Sequence, residues 1–374
     1  MNNVLAVIHT ESSLGWGGQE IRILTEARGM LMRGHRVTLL APAGSEIYPA
    51  AKKMGVPAIA IDIAKKNVGA VLAVRRWLAE HASLYDLINT HSSTDSWVVA
   101  LASATLRDKL PMIRTRHVST PVNNNAFTTW LYRHATSHVV TTGESLRQQL
   151  HRDNGYPLAH MTSVRTGIDL ERFQAADKSA MREKLGLADR PTLGVVATLR
   201  DWKGHEDLLD AMVIFRAQYP ALRDWQLVIV GDGPERDRLR AKIALRGLDD
   251  CVQLVGNQEN VHEWLSTFDI FVLPSYGNEG VPQGIMQAMA CGLPVVSTPV
   301  GAIAEAVADG RSGILVPKRN PAALAAGLTS LMRDEHKRLA MGAEGFAIAT
   351  AQFGIDAMID KMEGVFRRYT GSAS

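Results

Sequence analysis

The feature that most constrains this chain is an alternation that runs along almost all of it. Short runs rich in β-branched residues are each followed by an amphipathic stretch. In the first half the runs are Val4–Ile8, Arg36–Leu40, Ala58–Ile61, Leu87–Asn89, Met112–Thr115 and His138–Thr141. In the second they are Thr192–Val196, Leu227–Val230, Val252–Leu254, Ile270–Leu273, Pro294–Ser297 and Ile314–Val316. The stretches between them have helical periodicity. In Ile21–Arg33, for example, Ile21, Leu24, Ala27 and Leu31 share one face. Strands alternating with helices predict parallel sheets covered on both faces, and right-handed crossovers make each half a doubly wound α/β domain. Such domains bind ligands at the carboxyl ends of their strands. The polar stretch Asp169–Pro191 is the expected boundary, and Pro321–Met341 and Ile355–Tyr369 read as the two terminal helices.

A chain of 374 residues is long enough for two cores, and 46% hydrophobic content suits an ordinary globular protein. No apolar run approaches the ~18–20 residues that a membrane-spanning helix needs. The stretch Met1–Ile8 lacks a basic n-region and suits a buried strand better than a signal peptide. Cys251 and Cys291 form neither a metal spacing nor a disulfide framework, which favours a reducing, cytoplasmic compartment. Charge is unevenly placed. Residues 1–187 hold 22 Lys and Arg against 15 Asp and Glu, a net +7, and the remainder is −4 with 19 against 23. The basic half also holds nine of the twelve histidines. It suits an anionic partner, although a chance asymmetry on solvated faces reads equally well.

Three glycine-bearing turns join a strand to a helix. They are Gly15-Trp16-Gly17-Gly18-Gln19-Glu20, Gly231-Asp232-Gly233-Pro234 and Glu279-Gly280-Val281-Pro282-Gln283-Gly284. Glycine admits close backbone approach, and the N–H groups and dipole of the following helix favour phosphate. Pro234 and Pro282 suit a first helical position. No turn matches the nucleoside-triphosphatase loop, and no G-x-G-x-x-G opens a helix after the first strand, which disfavours a Rossmann dehydrogenase. Each turn alone is more often just a tight connection. Together they suggest one ligand gripped by two β/α domains.

Residues 275–301 are more specific: Ser275-Tyr276-Gly277-Asn278-Glu279-Gly280-Val281-Pro282-Gln283-Gly284, then Gln287-Ala288-Met289-Ala290-Cys291-Gly292-Leu293-Pro294-Val295 and on to Gly301. This resembles the donor-site signature of glycosyltransferase family 4. Five further pieces stand in the family's order: Gly17-Gly18-Gln19-Glu20, Arg114-Thr115-Arg116-His117, Thr166-Gly167-Ile168-Asp169, Leu199 to His205, and Val230 to Pro234. The resemblance covers roughly residues 4–350. It implies a GT-B fold of two Rossmann-like doubly wound parallel-sheet domains with an interdomain cleft. Residues 1–170, joined by a returning C-terminal helix at about 355–374, would form the acceptor domain, and 171–354 the donor domain. The implied activity is transfer of a sugar from a nucleoside-diphosphate sugar, with retention at the anomeric carbon.

Negative charge grows on the leaving diphosphate in that reaction, so preorganised cations and N–H dipoles should supply the largest catalytic contribution. By resemblance, Lys203 contacts the diphosphate. The family's partner arginine, five residues earlier, is here Thr198, and Arg200 is the substitute candidate. Glu279 matches the first glutamate of the family's E-x7-E pattern, which holds donor-sugar hydroxyls, and the second position is Gln287. An amide oxygen still accepts from a ribose hydroxyl, without charge. Gly280, Val281, Pro282 and Gln283 are expected to offer N–H groups to the donor, with Gly17 and Gly18 closing over the phosphates. Glu20 suits a helix start. His117 matches a family histidine near the reacting sugar, and His91 is a weaker candidate. No Asp-x-Asp pair occurs, which fits a metal-independent site with no cofactor. The resemblance also implies a front-face route, in which the leaving phosphate helps deprotonate the acceptor, and domain closure over the donor that limits hydrolysis.

UDP is the default nucleotide. The acceptor is expected to be a glycan or glycolipid, lipid-linked or of lipopolysaccharide type, reached by peripheral contact of the basic half with an anionic inner membrane face; nucleic acid is not expected. Lys52-Lys53, Lys65-Lys66, Arg75-Arg76 and the mixed stretch Trp130-Leu131-Tyr132-Arg133-His134 suggest that contact, against the alternative that Trp130 and Leu131 pack in the core. A nucleotide-sugar 2-epimerase on the same scaffold, which needs no acceptor, and a non-catalytic nucleotide-sugar-binding protein are the rival readings.

Overall fold

The computed structural model describes residues 4–277 and 279–370. The chain forms two compact units, one running to Gly167 and resuming at Ile355, the other spanning Ile168–Gly354.

The first unit is a seven-stranded parallel sheet of β1 (Ala6–Thr10), β2 (Arg36–Ala41), β3 (Ala58–Ala60), β4 (Leu87–Thr90), β5 (Met112–Arg116), β6 (His138–Thr141) and β7 (Met161–Ser163). Their order is β3-β2-β1-β4-β5-β6-β7, so the winding reverses between β1 and β4. Successive strand residues point to opposite faces. Val7, Leu39, Leu87, Ile113 and Val140 therefore meet the helices Gly18–Met32 and Ile355–Thr370 on one side. Ile8, Leu40, Ile88, Met112 and Val139 meet the helices Val68–His81 and Ser93–Ala104 on the other. The edge strand β7, which pairs only with β6 among the described residues, was not expected from the sequence. Its sequence, Met161-Thr162-Ser163, holds a single apolar residue and so makes no apolar run.

The returning helix Ile355–Thr370 is built into this unit. A Cβ at Gly29 would sit 2.7 Å from Ile359 Cδ1, so the two helices touch backbone to side chain. Arg33 pairs with Asp356, Asp360 and Glu363 at 3.0, 2.6 and 3.2 Å.

The second unit is a six-stranded parallel sheet of β8 (Thr192–Val196), β9 (Gln226–Val230), β10 (Val252–Gly256), β11 (Ile270–Leu273), β12 (Val295–Ser297) and β13 (Gly313–Leu315). The order β10-β9-β8-β11-β12-β13 reverses between β8 and β11. Two local expectations need correction, those for Pro321–Met341 and for Pro234 and Pro282. Pro321–Met341 is not one helix: Pro321–Met332 ends, and Asp334 caps a new helix, Glu335–Gln352, by accepting from Lys337 N at 2.8 Å. The polar stretch before β8 is packed against the unit: Arg182, which is nearly buried, donates to Thr267 O at 2.9 Å and Asp269 Oδ2 at 2.7 Å. Pro234 and Pro282 do not occupy first helical positions: Pro282 caps Gln283–Ala290, and Pro234 precedes Glu235, the cap of Arg236–Leu245.

Candidate functional site

Doubly wound sheets open a crevice at the carboxyl edge where the strand order reverses. In each unit that point gathers polar side chains.

In the second unit, the loop leaving β8 and the loop leaving β11 carry the two groups that meet. Lys203 Nζ lies 2.6 Å from Glu279 Oε1, and Ser275 Oγ donates to the same oxygen at 2.7 Å. Both bonds converge on Oε1, so Oε2 is the oxygen from which a ligand hydroxyl would be held. The Lys203 and Glu279 side chains are only 14% and 6% exposed, which strengthens their attraction relative to a surface pair. Two glycines make this approach possible. Gly204 adopts φ 73°, and a Cβ there would lie 2.1 Å from Pro274 O. Gly301 adopts φ 61°, and its Cβ would lie 2.1 Å from Glu279 O. Any side chain at either position would push one of the two loops away.

The helix Gln283–Ala290 begins four residues after Glu279. Ile285, Met286, Ala288 and Met289 are buried, which leaves Gln283 and Gln287, one turn apart, on the partly exposed face. Val281 packs into the core and Gly280 is half-buried. Arg200 does not join the Lys203–Glu279 pair. Its exposed guanidinium lies 5.2 Å over the Trp202 ring and lines a groove of about 440 Å³ with Asp201, Asp207, Tyr276 and Arg319. Thr198 is half-buried just beyond β8, and its carbonyl accepts from Arg200 N at 2.9 Å.

In the first unit the reversal point holds histidines from three adjacent strand ends. His117 Nε2 lies 3.0 Å from His91 Nδ1, and His91 Nε2 lies 2.8 Å from His9 Nδ1. Burial, followed by neighbouring positive charge, depresses all three well below the ordinary imidazole range, His9 to about 3. They are neutral at physiological pH. His9 Nε2 lies 3.9 Å from Glu26 Oε1, and Glu26 stands 3.7 Å from Arg22 and accepts from Asn89 Nδ2 at 3.3 Å. Burial raises Glu26 to about 7 against the opposing pull of Arg22.

The loop after β1 ends in Gly17, the extended N-cap of the helix that starts at Gly18. Glu20, in that first turn, is buried and its pKa is raised by burial. Glu11, which receives Ser13 N at 2.7 Å and also the Gln19 amide, is raised to about 8 by burial and then by Asp95. The sequence pointed to His117 and His91 but missed His9, Glu11, Glu26 and Ser275. The triplet His9-Thr10-Glu11 closing the first strand was the available signal.

The stretch Trp130–His134 packs in part against its own unit. Leu131 and Tyr132 are buried, Trp130 stacks on Trp97 with centroids 6.2 Å apart, and Arg133 donates to Gly155 O at 2.7 Å. Leu131 and Tyr132 are thus part of the unit's packing, and Trp130 stays half-buried.

Two doubly wound parallel-sheet units, one of seven strands and one of six, are the architecture of GT-B glycosyltransferases. Residues 16–172 match Glycosyltransferase Family 4, and residues 190–334 match Glycosyl transferases group 1. D-inositol 3-phosphate glycosyltransferase 2 of Catenulispora acidiphila is 32% identical over 306 residues, spanning 76% of this chain and 71% of that protein. The lipopolysaccharide core biosynthesis mannosyltransferase LpsB of Rhizobium meliloti is 30% identical over 69% of this chain and 74% of its own. Among solved structures, Anabaena HepE in complex with UDP and glucose superposes with TM-score 0.85 at 21% identity, covering 97% of this chain and 99% of that one. A glycosyltransferase from Rickettsia africae gives TM-score 0.87 at 19% identity, over 99% and 100%. The chain belongs to the family 4, group 1 glycosyltransferases, and it is a glycosyltransferase with the GT-B fold.

Proposed function

We propose that this enzyme moves a sugar, with retention, from a nucleoside-diphosphate sugar to a hydroxyl of a glycan or glycolipid, without a metal cofactor. The observation that carries this reading is the Lys203–Glu279 pair at the reversal point of the second sheet. The ammonium has further N–H donors for a diphosphate, and Glu279 Oε2 can accept a sugar hydroxyl. The N-terminus of Gln283–Ala290 adds N–H dipoles of the same sign. Together they neutralise charge as it develops on the leaving group, the work a divalent cation does elsewhere. The leaving phosphate itself would help take the acceptor proton. UDP is the default nucleotide, and the HepE complexes with UDP and UDP-glucose support that choice.

The test is a thermal-shift titration with UDP-, GDP- and ADP-sugars, with and without EDTA. One nucleotide class should raise the melting temperature regardless of EDTA, and both Lys203→Ala and Glu279→Ala should weaken that rise. If no nucleotide-sugar stabilises the wild type, the donor site proposed here does not exist.

A lipid-linked acceptor is supported by one exposed helix face in the first unit. Val68 and Leu72 are 74% and 58% exposed and share a face of Val68–His81, between Lys65-Lys66 and Arg75-Arg76. Apolar groups ringed by cations match an anionic membrane surface. No helix among the described residues is long and apolar enough to cross a membrane. Co-sedimentation with phosphatidylglycerol vesicles at low salt should fall on Lys65→Glu/Lys66→Glu, and an absence of wild-type binding would remove the membrane from the account.

A further inference from the structure

Three imidazoles in series are a directional object. A neutral imidazole carries one N–H and one bare nitrogen, so a chain of them must run donor-to-acceptor in one sense or the other. Here the chain starts at His117, which is partly exposed, and ends at His9, which is fully buried. His9 Nε2 and Glu26 Oε2 have no hydrogen-bond partner among the described residues, and both are sealed from solvent. Buried polar atoms of this kind call for an explanation.

We propose that His91, His9 and Glu26 are positioning residues that form one proton-polarity relay, in which the charge state of Glu26 decides whether His117 Nδ1 presents a lone pair or an N–H. With Glu26 ionised, the carboxylate draws the His9 proton onto Nε2. His9 Nδ1 then accepts from His91 Nε2–H, and His91 Nδ1 accepts from His117 Nε2–H. His117 Nδ1 is bare and can accept from a substrate hydroxyl. Protonating Glu26 reverses every link. One proton enters at His117 Nδ1, the Nε2 proton of His117 passes to His91 Nδ1, that of His91 passes to His9 Nδ1, and that of His9 passes to the Glu26 carboxylate. One proton has entered at the outer end, one has arrived at the carboxylate, and each imidazole stays neutral. The last link spans 3.9 Å and closes by a side-chain movement of about 1 Å, to ordinary hydrogen-bond length.

The surroundings of Glu26 allow this. Its own helix presents Arg22, fixed by Val164 O at 2.8 Å and Thr166 Oγ1 at 3.2 Å. Strand β1 presents His9, strand β4 presents the neutral Asn89, and the helix Ile355–Thr370 contributes the uncharged Met362 beside Arg22. One fixed cation and a buried site therefore oppose each other, which places the Glu26 transition near neutrality.

The link to catalysis rests on the transferase reading, in which His117 matches a histidine near the reacting sugar, but the relay itself can be read without any substrate. Long-range proton–nitrogen spectra of the imidazoles, recorded on the full chain between pH 6 and 8, report each tautomer. His9, His91 and His117 should all be Nε2–H at pH 8 and all swap to Nδ1–H with one shared midpoint. Glu26→Gln should abolish the swap. His91→Phe, which keeps a ring but cuts the chain, should leave the His9 swap and abolish that of His117. Separate midpoints, or a swap that survives Glu26→Gln, would overturn the relay. The kcat/KM of sugar transfer should lose its acid limb in Glu26→Gln; a limb that persists at the same pH overturns the catalytic link. A shared swap in a protein that turns over no nucleotide-sugar would instead refute the donor assignment and leave the relay standing.

Discussion

The two reversal points share a backbone plan and have opposite electrostatics. In the first sheet, strand β1 and the loops leaving β4 and β5 deliver neutral imidazoles at 2.8–3.0 Å spacing. In the second, loops from β8 and β11 deliver a cation and an anion at 2.6 Å. Burial acts on both, and the outcome depends on what each side chain finds beside it. A histidine surrounded by histidines and Arg22 sheds its proton, because desolvation and like charge act together. Lys203 and Glu279 face each other and offset their desolvation by direct attraction. The same crevice geometry can therefore be set up to organise protons or to hold fixed charge.

The largest effect expected from this contrast is on the charged side. Lys203→Ala should lower the rate of donor turnover by about 10²–10³-fold, the usual loss when one preorganised stabiliser of developing charge is removed. It also leaves Glu279 buried without its cation, so initial rates should be compared with Lys203→Arg, which keeps the charge and should recover part of the loss.

The second effect separates the units by pH. Glu26 and Glu11 have folded pKa values of about 7 and 8, raised by burial above an unfolded value near 4.5. Their contribution is therefore full below about pH 4.5 and is lost as pH climbs through 7 to 8. The histidines work in the opposite sense, since depressed imidazoles lose their contribution as pH falls below about 6.5. Above pH 6.5 only the carboxyl loss continues, so the first unit should weaken by about 2 kcal/mol between pH 6.5 and 8. Hydrogen exchange read strand by strand should show β1, β4 and β5 opening more at pH 8 while β8 and β11 change less. Equal change in both sheets would break the contrast.

The smallest effect concerns Arg200. Its guanidinium rests on Trp202, an exposed contact of about 0.5–1 kcal/mol, and it stands outside the Lys203–Glu279 pair. Arg200→Ala should lower turnover by only about threefold. A loss as deep as that of Lys203→Ala would place Arg200 on the diphosphate after all and widen the charged site.

The sequence made the charged site easier to read than the neutral one. Lys203 and Glu279 each sit in a contiguous motif, so both were recognisable although 76 residues separate them. Of the histidine chain only His117 sits in such a motif: His9 and His91 are 82 residues apart, His91 and His117 26, and only the β1-β4-β5 neighbourhood unites them. Apolar and β-branched runs were visible even where the strand has three residues, as in β12 and β13, whereas Met161-Thr162-Ser163 holds one apolar residue and β7 drew its identity from pairing with β6. In the Trp130–His134 stretch, composition alone does not reveal that Trp97 and Gly155 receive Trp130 and Arg133.

The returning helix Ile355–Thr370 has a consequence for how the protein comes into being. It fills the groove beside Gly29 and supplies the carboxylates around Arg33, so the first unit lacks one wall until residue 370 has left the ribosome. The second unit, Ile168–Gly354, is contiguous and complete sixteen residues sooner. Domains generally finish in the order in which they are translated. Here the half that emerges first is the last to close, and during that interval the face of Gly18–Met32 that Ile355–Thr370 covers stays bare.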